Sequence, residues 1–322
     1  MKSFFARVIA LISFGAATAA CAGPYQTFAP TPSTSSGSTL GVTSDDKVSA
    51  LTARILSYHL MPLRNTPPQA LFAPDQRVVH PADLVRRDGP IMKAASSFNI
   101  YVNCKSGESC WGDPEGFEKD LTGSRFAGLL TQYTSSPPSG YTFGGAFSVN
   151  YRTYTKLLYQ NDLMAILHAA LVKNGKNAGY SNMYHIFLPK GTDTCFDRTR
   201  SCYSPDHPAT NAFCAYHESV SFADVPKNVI VSIEPYQKVG FCASRASSGA
   251  SALTNSTAST LAHEMFESIT DPGPAFAWFN FTFGSEVGDL CQTYQWKISV
   301  SGTVYSLQPM YSNKYHGCAA GP

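Results

Sequence analysis

LAHEMFESITDP, residues 261–272, sets a histidine and three carboxylates into an apolar helical pattern. Thr257 or Ser259 suits the cap of a helix that runs through STLAHEMFESI and stops at Asp271-Pro272, because a proline excludes its predecessor from helical backbone. Four residues apart, His263 and Glu267 are rotated by only about 40° around the helix axis, so their side chains converge on one point. Glu264 lies beside that point.

In zinc peptidases built on His-Glu-x-x-His, this spacing supplies two metal ligands and a neighbouring general base. Here Glu267 replaces the second imidazole; metals accept a carboxylate, although harder oxygen ligands weaken the preference for zinc. One divalent metal is expected, with zinc as the first choice, His263 and Glu267 as ligands and Glu264 as catalytic base. The competing reading is a solvated helix face with His263 on the surface. Its surroundings favour the metal. Between Arg245 and Lys297 there is no Lys or Arg, while Glu264, Glu267, Asp271, Glu286 and Asp289 all fall there. Phe266, Ile269, Phe276, Trp278, Phe279, Phe281 and Phe283 direct the segment onto the core, where unpaired carboxylates are costly. A bound cation relieves that cost, as would protonation or a distant arginine.

The chain opens MKSFFARVIALISFGAATAACAG, which reads as a secretory signal over residues 1–22: two cations, a short apolar run, then small residues. Nine cysteines include Cys21 inside that signal, and the remaining eight, with no zinc-type Cys-x-x-Cys pair, suit four disulfides formed after export. Of roughly a hundred possible pairings, Cys104 with Cys110 and Cys291 with Cys318 are the local ones. The protein is therefore expected to be secreted, extracellular or periplasmic, with lipid anchoring through Cys21 the minor alternative. No later run is long enough to span a membrane. Only 14% of residues are charged and the net charge is +2; without a basic run to neutralise phosphates, nucleic acid is excluded as a partner.

Residues 23–44 are rich in Ser, Thr, Pro and Gly and read as a flexible leader, followed by a single domain over 45–322. Helical spacing appears at Phe126, Leu129, Leu130 and Tyr133, and at Leu163, Ile166, Leu167 and Leu171 with Asn161 as the cap. Strands are expected at 98–104, 183–189 and 228–236, and WKISV and TVYSL flank Ser301-Gly302 as a hairpin. The fold class is α+β, a sheet flanked by helices in one disulfide-stabilised domain, and the His-Glu motif makes it zincin-like.

HEMFESITDP, Trp278, EVGDLC (286–291) and QPMYSNKYHGC (308–318) resemble the EXORDIUM, or phosphate-induced-protein, family of secreted proteins and its bacterial relatives. Weaker matches at GPIMKAASSFNIYV, GSRFAGLLTQY, MYHIFLP and FCAYH extend the resemblance over roughly residues 85–320. The chain departs from the family at Tyr311, where relatives have Trp, and between Cys195 and Cys214. The resemblance marks His263, Glu264, Glu267, Asp271, Glu286, Asp289 and His217 but implies no reaction. Glu286 or Asp289 is the expected third ligand, with Asp271 still possible. His217 is a ligand or a catalytic group that stabilises a developing oxyanion, with a structural role, as a lone histidine beside a cysteine, equally open. His185 reads as a core histidine, and His59, His80, His168, His207 and His316 belong to no constellation.

The leading expectation is a monomeric, secreted metal-dependent hydrolase, most simply a metalloprotease-like enzyme acting on an extracellular peptide or cell-wall polymer. The alternative is an extracellular carbohydrate- or cell-wall-binding protein with a structural metal, its aromatic segment 276–283 stacking on sugars. A third possibility is a disulfide-rich structural protein without metal. An open ligand position separates the first two.

Overall fold

The computed structural model describes residues 39–64, 68, 80–104, 109–151, 157–195, 202–203, 212–237, 240–247 and 249–322. The signal, Cys21, the leader through Ser38 and His207 lie outside the described residues. Seven strands form the main sheet: β1 (Leu40–Gly41), β2 (Arg54–Pro62), β3 (Ala95–Val102), β4 (Tyr141–Asn150), β5 (Asn182–Phe187), β6 (Phe213–Ser221) and β7 (Val229–Glu234). Their order is β1-β4-β3-β5-β7-β6-β2. β1, β4, β3, β5 and β7 run parallel, and β6 is antiparallel to both β7 and β2.

Burial on both faces explains why the central strands are nearly continuous apolar runs. Ile100, Val102, Tyr184, Ile186, Val231 and Ile233 pack with Leu163, Ile166 and Leu167 of the helix Gln160–Lys173 on one face. Tyr101, Met183, Phe187 and Ile230 pack with Leu261, Met265 and Phe266 of the helix Ala252–Thr270 on the other. The α-helices among the described residues are α1 (Ser44–Thr52), α2 (Pro114–Leu121), α3 (Thr131–Thr134), α4 (Gln160–Lys173) and α5 (Ala252–Thr270). The α+β expectation is met at this level.

Three local expectations change. The helix read at Phe126–Tyr133 is a 3-10 segment, Ala127–Leu130, leading into the single turn of α3. Asn161 does not cap α4: Tyr159 occupies that position, and Asp162 accepts from its backbone N–H at 2.9 Å. α5 begins before Thr257 or Ser259, at a cap made by Ser251, whose hydroxyl accepts from Thr254 N–H at 3.1 Å. The WKISV–TVYSL hairpin forms as β8 (Trp296–Val300) and β9 (Thr303–Leu307). Ser301 and Gly302 both take positive φ, 47° and 98°, matching the twist of a two-residue turn.

The eight cysteines beyond residue 22 form Cys104–Cys110, Cys195–Cys202, Cys214–Cys242 and Cys291–Cys318. Two of these bonds brace the region below: Cys214 lies three residues before His217, and Cys291 two after Asp289. No helix among the described residues is long and apolar enough to cross a membrane.

Candidate metal centre

α5 is buried on every side from Asn255 to Thr270 although it is rich in Ser, Thr and Asn. Its polar groups are used internally. Asn255 Nδ2 donates to Arg245 O at 2.8 Å, while Ser259 Oγ accepts from Arg64 Nη2 at 2.8 Å and from Gln308 N at 3.0 Å. Asp271 N–H closes the last turn on Glu267 O, and Pro272 prevents further helix. A helix held so firmly presents His263 and Glu267 in fixed rotation, with His263 Nε2 3.0 Å from Glu267 Oε2. That contact lacks the alignment of a hydrogen bond, and His263 Nε2 has no other hydrogen-bond partner.

The segment 286–289 closes over these two residues. Glu267 Oε1 accepts from the backbone N–H groups of Gly288 at 3.1 Å and Asp289 at 3.0 Å, which leaves Oε2 to face His263. Asp289 Oδ1 lies 3.6 Å from His263 Nε2, while its Oδ2 accepts from Glu286 N at 3.1 Å. The Gln308 amide lies against the other side of the imidazole, its Oε1 3.4 Å and its Nε2 3.1 Å from His263 Nδ1, with Nε2 donating to Gly288 O at 2.6 Å; ligation through His263 Nε2 requires Nδ1–H to donate to Oε1. Tyr311 N–H holds the same loop through Val287 O at 2.8 Å.

Gly288 is required for this closure, because a Cβ there would stand 2.6 Å from His263 Nδ1 and 2.9 Å from Glu267 Oε1. Gly288→Ala is expected to displace His263 and destabilise the fold by about 1–3 kcal/mol, the usual range for overpacking. Denaturant unfolding checks this; unchanged stability would show that the loop can yield.

A second set of groups comes from the sheet. β3, β5, β7, β6 and β2 are paired so that Asn99, His185, Ser232, His217 and His59 form one rank across it. His185 Nδ1 pairs with Ser232 Oγ at 2.7 Å, the core role expected of it. His217 Nδ1 pairs with Glu264 Oε2 at 3.0 Å. His59 stacks on His217 with ring centroids 5.1 Å apart, and its Nδ1 lies 2.9 Å from Glu286 Oε2.

Glu264, Glu267, Asp271 and Glu286 are buried, and none pairs with Lys or Arg among the described residues. Burial and mutual repulsion push the carboxyls up: Glu264 and Glu286 well above the usual range, Glu267 to about 8, Asp289 to about 7 and Asp271 to about 6. Burial lowers His263 to about 4, and burial with the neighbouring His59 and His263 lowers His217. Burial thus favours neutral His263 and His217, the form that ligates metal. Glu264 Oε1, both Glu286 carboxylate oxygens, Asp289 Oδ1, His217 Nε2 and His263 Nε2 are buried without a hydrogen bond. So many orphaned acceptors in one place fit a cation. Three groupings could hold one, each with ligand atoms within 4.8 Å of one another: His263–Glu267–Asp289, His217–Glu264–Glu267 and His59–His217–Glu286.

The structure thus brings together His217, His263, Glu264, Glu267, Glu286 and Asp289. Asp271 belongs to none of the three groupings: its Oδ1 accepts from Ala277 N at 2.8 Å, and its Oδ2 is buried without a hydrogen bond. His59 corrects the expectation that it has no constellation: its edge-strand position, set by pairing with a strand more than 150 residues away, is invisible in local sequence. His168 also has partners, Asp46 at 2.7 Å and Asp224 at 3.1 Å, but these tie α4 to α1 and to the turn after β6. His316 contacts Asp83 and stacks on His80. The side chains of His59 and Asp289, 19% and 13% exposed, mark where solvent reaches the cluster. His59 and Asp271 open on a cleft of about 410 Å³ between β2 and the loop 273–276, lined also by Ile55, Ser57, Gly273 and Phe276. Comparison with known proteins finds no matching family model, no similar curated protein and no similar solved structure.

Proposed function

We propose that the protein is a secreted metal-dependent hydrolase, a peptidase-like enzyme of zincin-like build, with His263, Glu267 and Asp289 holding zinc. The observation that carries this reading is the set of buried, hydrogen-bond-free donor atoms on and around an HExxE helix, beside a cleft. A divalent cation there supplies Lewis acidity, polarising a carbonyl and making water acidic near neutral pH. The chain's own groups complete the chemistry. Glu264 Oε1, without a hydrogen bond, accepts the proton of the attacking water, while Oε2 is held by His217. The cleft along β2 receives the substrate. Kinship with EXORDIUM proteins, read from residues 263–272, 286–291 and 308–318, belongs to the same proposal.

His263→Ala and Glu267→Ala are each expected to remove the metal bound by that set while leaving a folded domain. Elemental analysis of purified variants, with circular dichroism for the fold, tests it. Unchanged metal content in both variants would place the metal elsewhere.

One observation favours the alternative of a carbohydrate-binding protein with a structural metal. Phe276 and Phe281 stand exposed at the cleft rim, packed edge to face at 5.4 Å, and Arg87 lies over Phe281 at 4.8 Å. Such a surface suits stacking against sugar rings.

A further inference from the structure

The candidate centre contains two groupings that share no residue, His263–Glu267–Asp289 and His59–His217–Glu286. We infer that the cavity binds two divalent cations side by side, the second held by His59, His217 and Glu286. This rests on the metal reading above and extends it.

The second grouping has ligand separations of the same order as the first. Metal bonds of about 2.0–2.2 Å at tetrahedral angles place neighbouring ligand atoms about 3.3–3.6 Å apart. In the first grouping the separations from His263 Nε2 are 3.0 Å to Glu267 Oε2 and 3.6 Å to Asp289 Oδ1. In the second, each histidine faces a different oxygen of one carboxylate: His59 Nδ1 lies 2.9 Å from Glu286 Oε2 and His217 Nε2 3.8 Å from Glu286 Oε1. All of the candidate ligand atoms of each grouping lie within 4.8 Å of one another.

The hydrogen bonds around the second grouping leave its donor atoms free. Glu264 Oε2 lies 3.0 Å from His217 Nδ1, and as a carboxylate beside a cation it can only accept, which selects the tautomer with a lone pair on Nε2. That Nε2 is buried and makes no hydrogen bond, and neither does either oxygen of Glu286, whose side chain is fully buried. No residue of the first grouping supplies these atoms with a partner. A single cation at His263–Glu267–Asp289 would leave them orphaned.

Charge points the same way. Glu264, Glu267, Asp271, Glu286 and Asp289 crowd one buried region without a Lys or Arg partner among the described residues. Arg64, buried nearby, directs its donors to Ser244 and Ser259 instead. One divalent cation offsets fewer than half of these five charges if all are ionised, and two offset all but one.

Full-length mature protein, stripped with chelator and reloaded with Zn²⁺, is expected to retain two zinc ions per chain after dialysis. His59→Ala and Glu286→Gln should each retain one, and His263→Ala should also retain one. Loading with Mn²⁺ should give an exchange-coupled electron paramagnetic resonance spectrum that reverts in His59→Ala to that of an isolated ion. His59 is the variant of choice because its partial exposure spares the core, and thermal unfolding confirms that it folds. One zinc in the wild type, lost in His263→Ala and kept in His59→Ala, would overturn the second site while leaving the proposed function intact. One zinc lost in both variants would indicate a single shared ion and overturn it as well. No zinc in the folded wild type would end both readings.

Discussion

Chelator-treated protein is expected to unfold about 10 °C below the metal-loaded form at pH 8, and the gap should close toward pH 5. The metal contributes through preferential binding to the folded chain: free metal at about a thousand times its dissociation constant stabilises by roughly 4 kcal/mol. For a domain of this size each kcal/mol shifts the midpoint by about 2–4 °C. The pH dependence follows from the carboxyls. Glu267 at about 8, Asp289 at about 7 and Asp271 at about 6 all lie above the unfolded range, mainly through burial. Without metal, the folded chain therefore holds more protons than the unfolded one. Stability is full below the unfolded pKa, near 4, and is lost as pH rises through the folded values. Cations reverse this by holding the same groups ionised, and as pH falls protons displace the cations. Calorimetry at pH 5 and pH 8, with metal content verified, measures both effects. Equal midpoints at pH 8 after verified metal removal would refute a metal that stabilises the fold.

How much of this was legible in the sequence depended on how local each cause was. The His263–Glu267 pair, the stop at Pro272, the β8–β9 hairpin and the bond Cys104–Cys110 follow from spacings within a few turns or one short loop, while Cys291–Cys318 spans the hairpin between its two cysteines. Central strands β3, β5 and β7 were readable because burial on both faces makes them apolar throughout. The start of α5 is not legible because Ser, Thr and Asn ordinarily compete with helix. Tertiary partners such as Arg245 O and Gln308 N make them helical here. β2 is hidden in the sequence because half-exposed edge residues blur its alternation. With it went His59, whose place beside His217 is fixed by the β2–β6 register. Both Glu286 and Asp289 were legible as candidates, but not that they face different histidines, since that depends on the turn at Gly288.

Glu264→Gln is expected to lower kcat by about 10²-fold or more, within the range for losing a general base, while leaving metal content unchanged. The amide oxygen can still accept from His217 Nδ1–H, so the imidazole keeps its tautomer, but the side chain can no longer take a proton. Loss confined to the transition state should appear in kcat and kcat/KM alike, with KM little altered. Stability supplies an independent readout. Glu264 is fully buried, and burial with repulsion from Glu267 and the other carboxylates raises it well above the usual carboxyl range. Removing that charge should make the metal-free protein more stable at pH 8 even as turnover falls. A purely structural Glu264 would give the stability gain without the kinetic loss. Full turnover by Glu264→Gln would assign the proton transfer to another group, whereas unchanged sugar binding and no hydrolysis by either form would favour the binding protein.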